Sequence, residues 1–200
     1  MSTPTSIYSR ASAAGALRQG ELVSNVMEAR LRLKTIYAPP PVVDYTRHDY
    51  AVVVSQDCDL DWDWKARMNG DKPDKLLSGI LFCEAKPADR LVYERKYNRQ
   101  ERKIIRQNRD ERYQFLQKVD SEFDLLENGV PELVVDFKRC FSLPAEEAYY
   151  RLESEELQRR CLFEHPYLQH LIARFWSFQG RVALPEQHFS EPYTPPEQTE

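Results

Sequence analysis

A chain of 200 residues is long enough to bury the core of one domain and short for several. Its composition, 42% hydrophobic and 12% aromatic, argues against an intrinsically disordered protein. The formal net charge of −4 and the pI near 5.7 argue against a protein that coats nucleic acid through its overall charge, so any such binding must come from a local patch.

The two ends of the chain differ in composition from the middle. We expect a disordered N-terminal arm at 1–16, which is mostly small or polar, and a disordered tail at 186–200, where prolines alternate with acids and glutamines. One domain is expected at 17–185, with a core at 17–143 and a helical extension at 144–185.

No apolar run approaches the roughly 20 residues of a membrane span, and the start has no apolar leader, which predicts a cytoplasmic protein. The widely spaced cysteines predict reduced thiols.

Apolar runs along the chain predict five strands. A continuous β-branched run at 50–55 predicts a central strand that is buried on both faces of a sheet. A second buried strand is predicted at 76–83, after a turn that contains Asn69-Gly70. The remaining predicted strands lie at 21–26, 113–116 and 132–137.

Helix signals dominate the end of the chain. Pro144, followed by Glu146 and Glu147, predicts the start of one helix, because proline and acids favour the first turn. A second helix is predicted from Pro166 to Gln179, with one apolar stripe that faces the core. The stripe consists of Leu168, Leu171, Ile172, Phe175 and Phe178. These elements predict an α+β fold, a small and mostly antiparallel sheet or barrel with C-terminal helices.

An unusual acidic segment follows the first buried strand. If the segment is extended, alternation places four carboxylates on one face, those of Asp57, Asp59, Asp61 and Asp63. Carboxylates this close repel one another unless water screens them or a cation neutralises them, and Mg²⁺ prefers such oxygen ligands. The alternative is that Asp57 and Asp59 cap a turn and meet solvent.

The second buried strand ends in Glu84-Ala85-Lys86. A buried strand that closes in Glu-x-Lys, beside a strand that ends in Asp, resembles the core of the PD-(D/E)xK nucleases. The resemblance implies that Asp57 or Asp59 binds Mg²⁺ together with Glu84, and that Lys86 is the catalytic lysine. A metal-bound water is a nucleophile at neutral pH, and a nearby ammonium stabilises developing charge. The alternative is again a strand end whose polar residues meet solvent.

The order of the first strands resembles the front half of the PemK/MazF-like toxins, which are small SH3-like barrels that cleave or bind RNA. Gly20, Glu21 and Ser55 match the Gly-acid pair that opens the family's first strand and the serine that ends its β-branched strand. The family's Arg-Pro ahead of that strand is absent, because Arg47 is displaced and no proline follows it. The resemblance implies an SH3-like barrel that lacks the basic centre of a ribonuclease.

Four sequence blocks also resemble a group of bacterial proteins, a likeness that brings no established activity. The blocks are VVSQDCDL, LFCE, VDFKR-F-LP and HLIARF-RV-LP, at 53–60, 81–84, 135–144 and 170–185. The expected setting is a toxin–antitoxin or phage-defence system, with a protein partner and with RNA or DNA as a further partner. We therefore expect a non-enzymatic binding or regulatory module without a cofactor, and a Mg²⁺-dependent nuclease is the alternative.

A charged segment at 88–112 is predicted to be helical, with Asn98 and Asn108 as its breaks. Its predicted nucleic-acid-binding residues follow helical spacing and are Arg95, Arg99, Arg102 and Arg106. Such a stripe can neutralise phosphates, and the nearby rings of Tyr93, Tyr97 and Tyr113 can stack on unpaired bases. The alternative is a solvated helix whose cations pair with its own acids.

Overall fold

The computed structural model describes residues 6–32, 42–70 and 73–181. The predicted tail at 186–200 and the first five residues of the predicted arm lie outside these ranges. Within the rest of the predicted arm, Tyr8–Arg10 form a short strand instead of a disordered segment.

The described residues form one antiparallel sheet of seven strands and five α-helices. The strands are β1 (Tyr8–Arg10), β2 (Glu21–Arg32), β3 (Val42–Val53), β4 (Gly79–Pro87), β5 (Tyr113–Leu116), β6 (Leu133–Pro144) and β7 (Gln158–Phe163). The helices are α1 (Asp57–Asn69), α2 (Ala88–Arg95), α3 (Arg99–Arg106), α4 (Ala145–Glu153) and α5 (Tyr167–Gln179). The strand order is β1-β7-β2-β3-β4-β6-β5. The predicted α+β class is therefore confirmed.

Strand β3 is the centre of the sheet and is covered on both faces. Val52 and Val54 pack into the cluster that contains α5, whereas Ala51 and Val53 pack into the cluster that contains α1 and α4. All four side chains are at most 1% exposed. This confirms the predicted central strand, and it makes the molecule three layers thick, with a helical layer on each side of the sheet.

Helix α5 covers the first face with the apolar stripe that its sequence predicts. Leu171, Phe175 and Phe178 are buried, and the Phe175 ring lies 5.9 Å from the Phe137 ring of β6, edge to face. Burial of each such side chain contributes about 1.5–3 kcal/mol. No helix in the described ranges combines the length and the apolar composition that crossing a bilayer needs.

Strand β7 is not predicted by the sequence pattern, because two arginines interrupt its apolar residues. Both are buried and paired: Arg160 lies 2.7 Å from Asp124, and Arg159 lies 3.2 Å from Glu21. Paired burial of this kind offsets the cost of removing the charges from water. The arginines give this strand the composition of a solvated helix. The predicted helical extension at 144–185 is therefore wrong at β7, Gln158–Phe163.

The acidic segment at 57–63 is the first two turns of α1, so the predicted extended conformation is wrong. Three of its four carboxylates pair with separate cations. Asp57 accepts from Arg18, Asp61 lies 2.6 Å from Lys65, and the buried Asp63 lies 2.9 Å from Arg67. Acids near the start of a helix are favoured by its dipole, which gives this segment a reason to be acidic without a metal.

Candidate nucleic-acid interface

The Glu-x-Lys segment lies near the end of β4, where it borders a small polar cavity of about 240 Å³. Glu84 contributes a buried carboxylate, and its Oε2 atom lies 3.5 Å from Nε of Arg139. The Nζ atom of Lys86 lies 3.0 Å from Glu94 of α2. The two residues of the motif therefore share one cavity, but each already has a partner of opposite charge.

A buried histidine joins two carboxylates beside this cavity. His48 of β3 is 2% exposed; its Nδ1 lies 3.1 Å from Glu84 and its Nε2 lies 3.0 Å from Glu28 of β2. Its ring stacks on Phe141 at 4.1 Å. Both ring nitrogens are engaged, so this histidine links three strands instead of offering a free base. Sequence reasoning missed the cluster, because no local motif relates residues 28, 48 and 84.

The charge on Glu84 follows from competing effects. Burial raises the pKa of this carboxyl group, but the hydrogen bond from His48 and the nearby charges of Lys86 and Arg139 outweigh burial. The pKa therefore lies below its ordinary value, and Glu84 is a carboxylate at neutral pH.

The acids proposed as metal ligands are separated by the antiparallel pairing of β3 and β4. Glu84 lies opposite Ala51, whereas Ser55, just before α1, bonds to Leu81 near the start of β4. Ala51 is the residue opposite Glu84, and the length of chain from Ala51 to Asp57 is more than about 10 Å. Two parallel strands would have brought both acids to the same edge; antiparallel strands do not.

Asp57 and Asp59 also have different surroundings from those of Glu84. The carboxylate of Asp57 accepts two hydrogen bonds from Arg18 and one from the backbone amide of Gln19. Across residues 6–32, 42–70 and 73–181, no group of three His, Cys, Asp or Glu side chains is arranged to hold a metal ion. Asp57 and Glu84, two of the acids that the nuclease resemblance assigns to magnesium, are therefore held by separate partners.

The basic segment folds into two short helices with a sharp turn between them. Helix α2 is followed by its C-cap Lys96, which has a left-handed φ of 54°, and α3 is preceded by its N-cap Asn98, which forms a capping box with Glu101. The predicted break at Asn98 is confirmed. The turn divides the predicted stripe, because Arg95 borders the polar cavity, whereas Arg99, Arg102 and Arg106 lie together on α3.

The angle between the two helices opens a groove of about 940 Å³ against the end of the sheet. Its apolar lining comes from Ala88, Leu91, Val92, Ile105, Phe115 and Val134. Its cationic lining comes from α3 and consists of Arg99, Arg102, Lys103 and Arg106, all of which are exposed. One wall of an apolar groove thus contains four positive charges.

The four cations differ in how they are held. Arg106 lies 2.5 Å from Glu132 and sits over the ring of Phe115 at 5.6 Å, and Arg102 bonds to the carbonyl of Tyr97 at 3.0 Å. Arg99 and Lys103 have no ion pair or side-chain hydrogen bond within the described part of the chain. These two charges are therefore free to meet an anion.

A second groove of about 530 Å³ continues from the first, and the two share Arg106 and Phe115. It runs between β5, β1 and the start of α5. Its aromatic lining consists of Tyr8, Phe115, Phe163, Tyr167 and His170. Together the two grooves, which we call the basic groove and the aromatic groove, place cations and aromatic side chains in succession.

The tyrosines of the basic segment do not serve this surface. Tyr97 and Tyr113 bond to each other through their hydroxyl groups at 3.0 Å and pack in the small core beneath α2 and α3. Tyr93 is 86% exposed and borders neither groove. The rings that adjoin the cations, Phe115 and Tyr167, come from other parts of the chain, and the sequence pattern does not indicate them.

Comparisons with protein-family models, with curated proteins and with solved structures found no match to this chain.

Proposed function

We propose that this protein is a non-enzymatic binding module that takes single-stranded RNA along the basic groove and the aromatic groove. The observation that carries the proposal is the pair Arg99 and Lys103, two unpaired cations on the wall of a groove whose floor is apolar. Phosphates gain most from cations that have no partner to give up. Bases gain from the adjoining ring faces.

Local charge supports this proposal despite the acidic chain. Helix α3 contains four cations, Arg99, Arg102, Lys103 and Arg106, against one acid, Glu101. The side chain of Glu101 is engaged in the capping box, where it accepts from the backbone amide of Asn98 at 2.7 Å. Positive charge therefore exceeds negative charge on the groove, where Asp89 of α2 is the acid that faces the four cations of α3, and a local field of this kind attracts a polyanion.

A single strand fits the surface better than a duplex does. Stacking requires unpaired bases whose faces can reach the exposed ring of Tyr167, and duplex bases offer only their edges. RNA is the nucleic acid that the resemblance to PemK/MazF-like toxins implies. A toxin–antitoxin or phage-defence setting, with a protein partner, stays a prediction of the same resemblance.

The barrel that this resemblance implies requires the two edges of the sheet to meet. In the described ranges the strand pairing ends at β1 and β5 without closing, but the two edges approach each other, since the hydroxyl of Tyr8 donates to the carbonyl of Gln117 at 2.8 Å. Glu21, the acid that matches the family pattern, is 1% exposed and paired with Arg159. A buried, paired acid supports a binding role over cleavage.

The proposal is tested by the binding of a fluorescent single-stranded RNA of about 12 nucleotides, followed by anisotropy over a range of salt concentrations. The double variant Arg99→Ala/Lys103→Ala is expected to bind at least about tenfold more weakly at low salt. Its salt dependence should fall by about 1.4 in slope, because each phosphate contact on a single strand contributes about 0.7.

The matched control removes two exposed lysines that border neither groove, in the variant Lys65→Ala/Lys75→Ala. It lowers the net charge equally, so it should leave binding unchanged if the groove is the site. Equal losses in both variants, or no binding by the native chain, would overturn the proposal. Cleavage of the RNA with Mg²⁺ that Lys86→Ala abolishes would favour the nuclease alternative instead.

A further inference from the structure

Two cysteines that are far apart in the sequence meet across the sheet. Cys83 of β4 and Cys140 of β6 are direct cross-strand partners, and their Sγ atoms lie 2.7 Å apart. The sequence predicts reduced thiols for all four widely spaced cysteines, and these two are separated by 57 positions. Antiparallel pairing of β4 with β6 is what brings the two sulfur atoms together.

The backbone positions of this pair suit a covalent bond. Residues directly opposite in an antiparallel pair have Cα atoms about 4.5–5.5 Å apart, which lies within the range of about 4.4–6.8 Å found for disulfides. The register of β4 and β6 shifts immediately beyond Cys83, so Cys140 borders a bulge in which β6 residues 136–139 have no partner on β4. The bond would close the base of this bulge without moving either strand.

The two thiols differ in access and in acidity. Cys83 is fully buried, whereas Cys140 is half-buried and its Sγ lies 3.7 Å from the side-chain nitrogen of Gln179. The hydrogen bond from Cys83 lowers the pKa of Cys140, and the same contact, with burial, raises the pKa of Cys83. Cys140 is therefore the thiol that a small oxidant reaches.

We propose that Cys140 and Cys83 form a peroxide-oxidised dithiol site in which Cys140 reacts first and Cys83 resolves the product. The Cys140 thiolate attacks hydrogen peroxide: an S–O bond forms, the O–O bond breaks, and the hydroxide that leaves takes a proton to become water. Cys83 then loses its proton and attacks the sulfur of the Cys140 sulfenic acid. The S–S bond forms, the S–O bond breaks, and a second water leaves. Two thiols and one peroxide thus give one disulfide and two waters.

The other two cysteines lack this arrangement. Cys161 is fully buried among apolar side chains, and burial raises the pKa of its thiol. Cys58 is exposed on α1, where its Sγ contacts the side chains of Gln56 and Asp59 and no second cysteine within the described residues. The dithiol site is therefore specific to β4 and β6, and it stands whether or not the grooves bind RNA.

The site is tested on the reduced full-length protein, treated with a small excess of hydrogen peroxide and then alkylated under denaturing conditions. The native chain is expected to lose two alkylatable thiols and to yield one cross-linked peptide that joins Cys83 to Cys140. Cys83→Ser should stop at a sulfenic acid on Cys140 that dimedone traps, and Cys140→Ser should form neither product.

Cys58→Ser is the matched control, because it removes an exposed thiol outside the site and should leave the cross-link intact. Four alkylatable thiols in the peroxide-treated native chain, or a cross-link that involves Cys58, would overturn the proposal. Both of these outcomes are measured on the native chain. They can therefore refute the proposal even if either serine variant fails to fold.

Discussion

The side chain of Asn108 bonds both backbone polar groups of Phe115: Oδ1 accepts from the Phe115 amide at 2.6 Å, and Nδ2 donates to its carbonyl at 3.3 Å. Phe115 lies in β5, whose outer side meets no other strand within the described residues. The backbone of Tyr113 is bonded in the same way: its amide donates to the Asp110 carboxylate, and its carbonyl accepts from the Arg174 guanidinium. Side chains thus close this edge against strand addition, and a ligand in the grooves must be recognised through side chains.

We expect Asn108→Gly to lower the free energy of unfolding by about 1–3 kcal/mol, because two backbone groups at a partly buried edge lose their partners. Glycine is the suitable replacement, since Asn108 has a φ of 54°, which glycine adopts without strain. Urea unfolding followed by circular dichroism measures the change. Asn108→Asp keeps the acceptor for the Phe115 amide and should lie between the two.

Lys96→Gly is the control for the glycine itself. Lys96 has the same φ of 54°, is exposed, and has no side-chain partner within the described residues. Its replacement should be neutral or slightly stabilising, because it relieves a left-handed conformation and breaks no contact. Equal stability changes at positions 96 and 108 would contradict the assigned role of the Asn108 side chain.

Stability should also depend on the protonation of Glu21. Burial raises the pKa of this carboxyl group from 4.5 to about 7, although Arg159 and the backbone amide of Arg18 oppose the increase. The folded state then holds a proton that the unfolded state has released. The contribution of Glu21 to stability is therefore complete below about pH 4.5, and it is lost as pH rises through about 7.

The measurement is the free energy of unfolding of the native chain and of Glu21→Gln at several pH values. Relative to this variant, the native chain should lose stability between about pH 5 and about pH 8, by at most about 3 kcal/mol. Glu153→Gln, the same change on the exposed surface of α4, is the control. A difference between native chain and Glu21→Gln that stays constant over this window would show that Glu21 is ionised in the folded protein throughout.

The sequence predicts those helices and strands whose burial alone explains the spacing of their apolar residues. The run at 50–55 is apolar on both faces because β3 is covered on both faces, and the stripe of α5 follows from one buried side. Strand β7 escapes prediction because the partners that allow Arg159 and Arg160 to be buried, Glu21 and Asp124, are distant in the sequence. Local patterns contain no information on such partners.

The candidate sites show the same division. The cations of α3 are predictable, because helical spacing is local. The rings beside them, Phe115 of β5 and Tyr167 of α5, are not, because only the folded sheet brings them to one groove. The alternation of aspartates at 57–63 suggests a strand, yet the segment is a helix that ends at Gly70 with a left-handed φ of 68°. Charged residues at every second position are a weak indication of a strand unless apolar residues occupy the positions between them and form a buried face.

The aromatic groove predicts a role for Tyr167 that differs from that of the cations. Its side chain is 40% exposed at the start of α5 and borders the groove where Phe115 and Arg106 end the basic wall. If a base stacks on this ring, Tyr167→Ala should weaken binding of single-stranded RNA by about 1–3 kcal/mol, and Tyr167→Phe should retain most of the affinity.

The salt dependence distinguishes stacking from charge. Tyr167→Ala removes no phosphate contact, so the slope of log affinity against log salt should stay at the native value while the affinity falls at every salt concentration. Tyr93→Ala is the matched control, because this ring is 86% exposed and borders neither groove. Equal losses for Tyr93→Ala and Tyr167→Ala, or a loss that Tyr167→Phe does not recover, would place the bases elsewhere and restrict the RNA site to the basic groove.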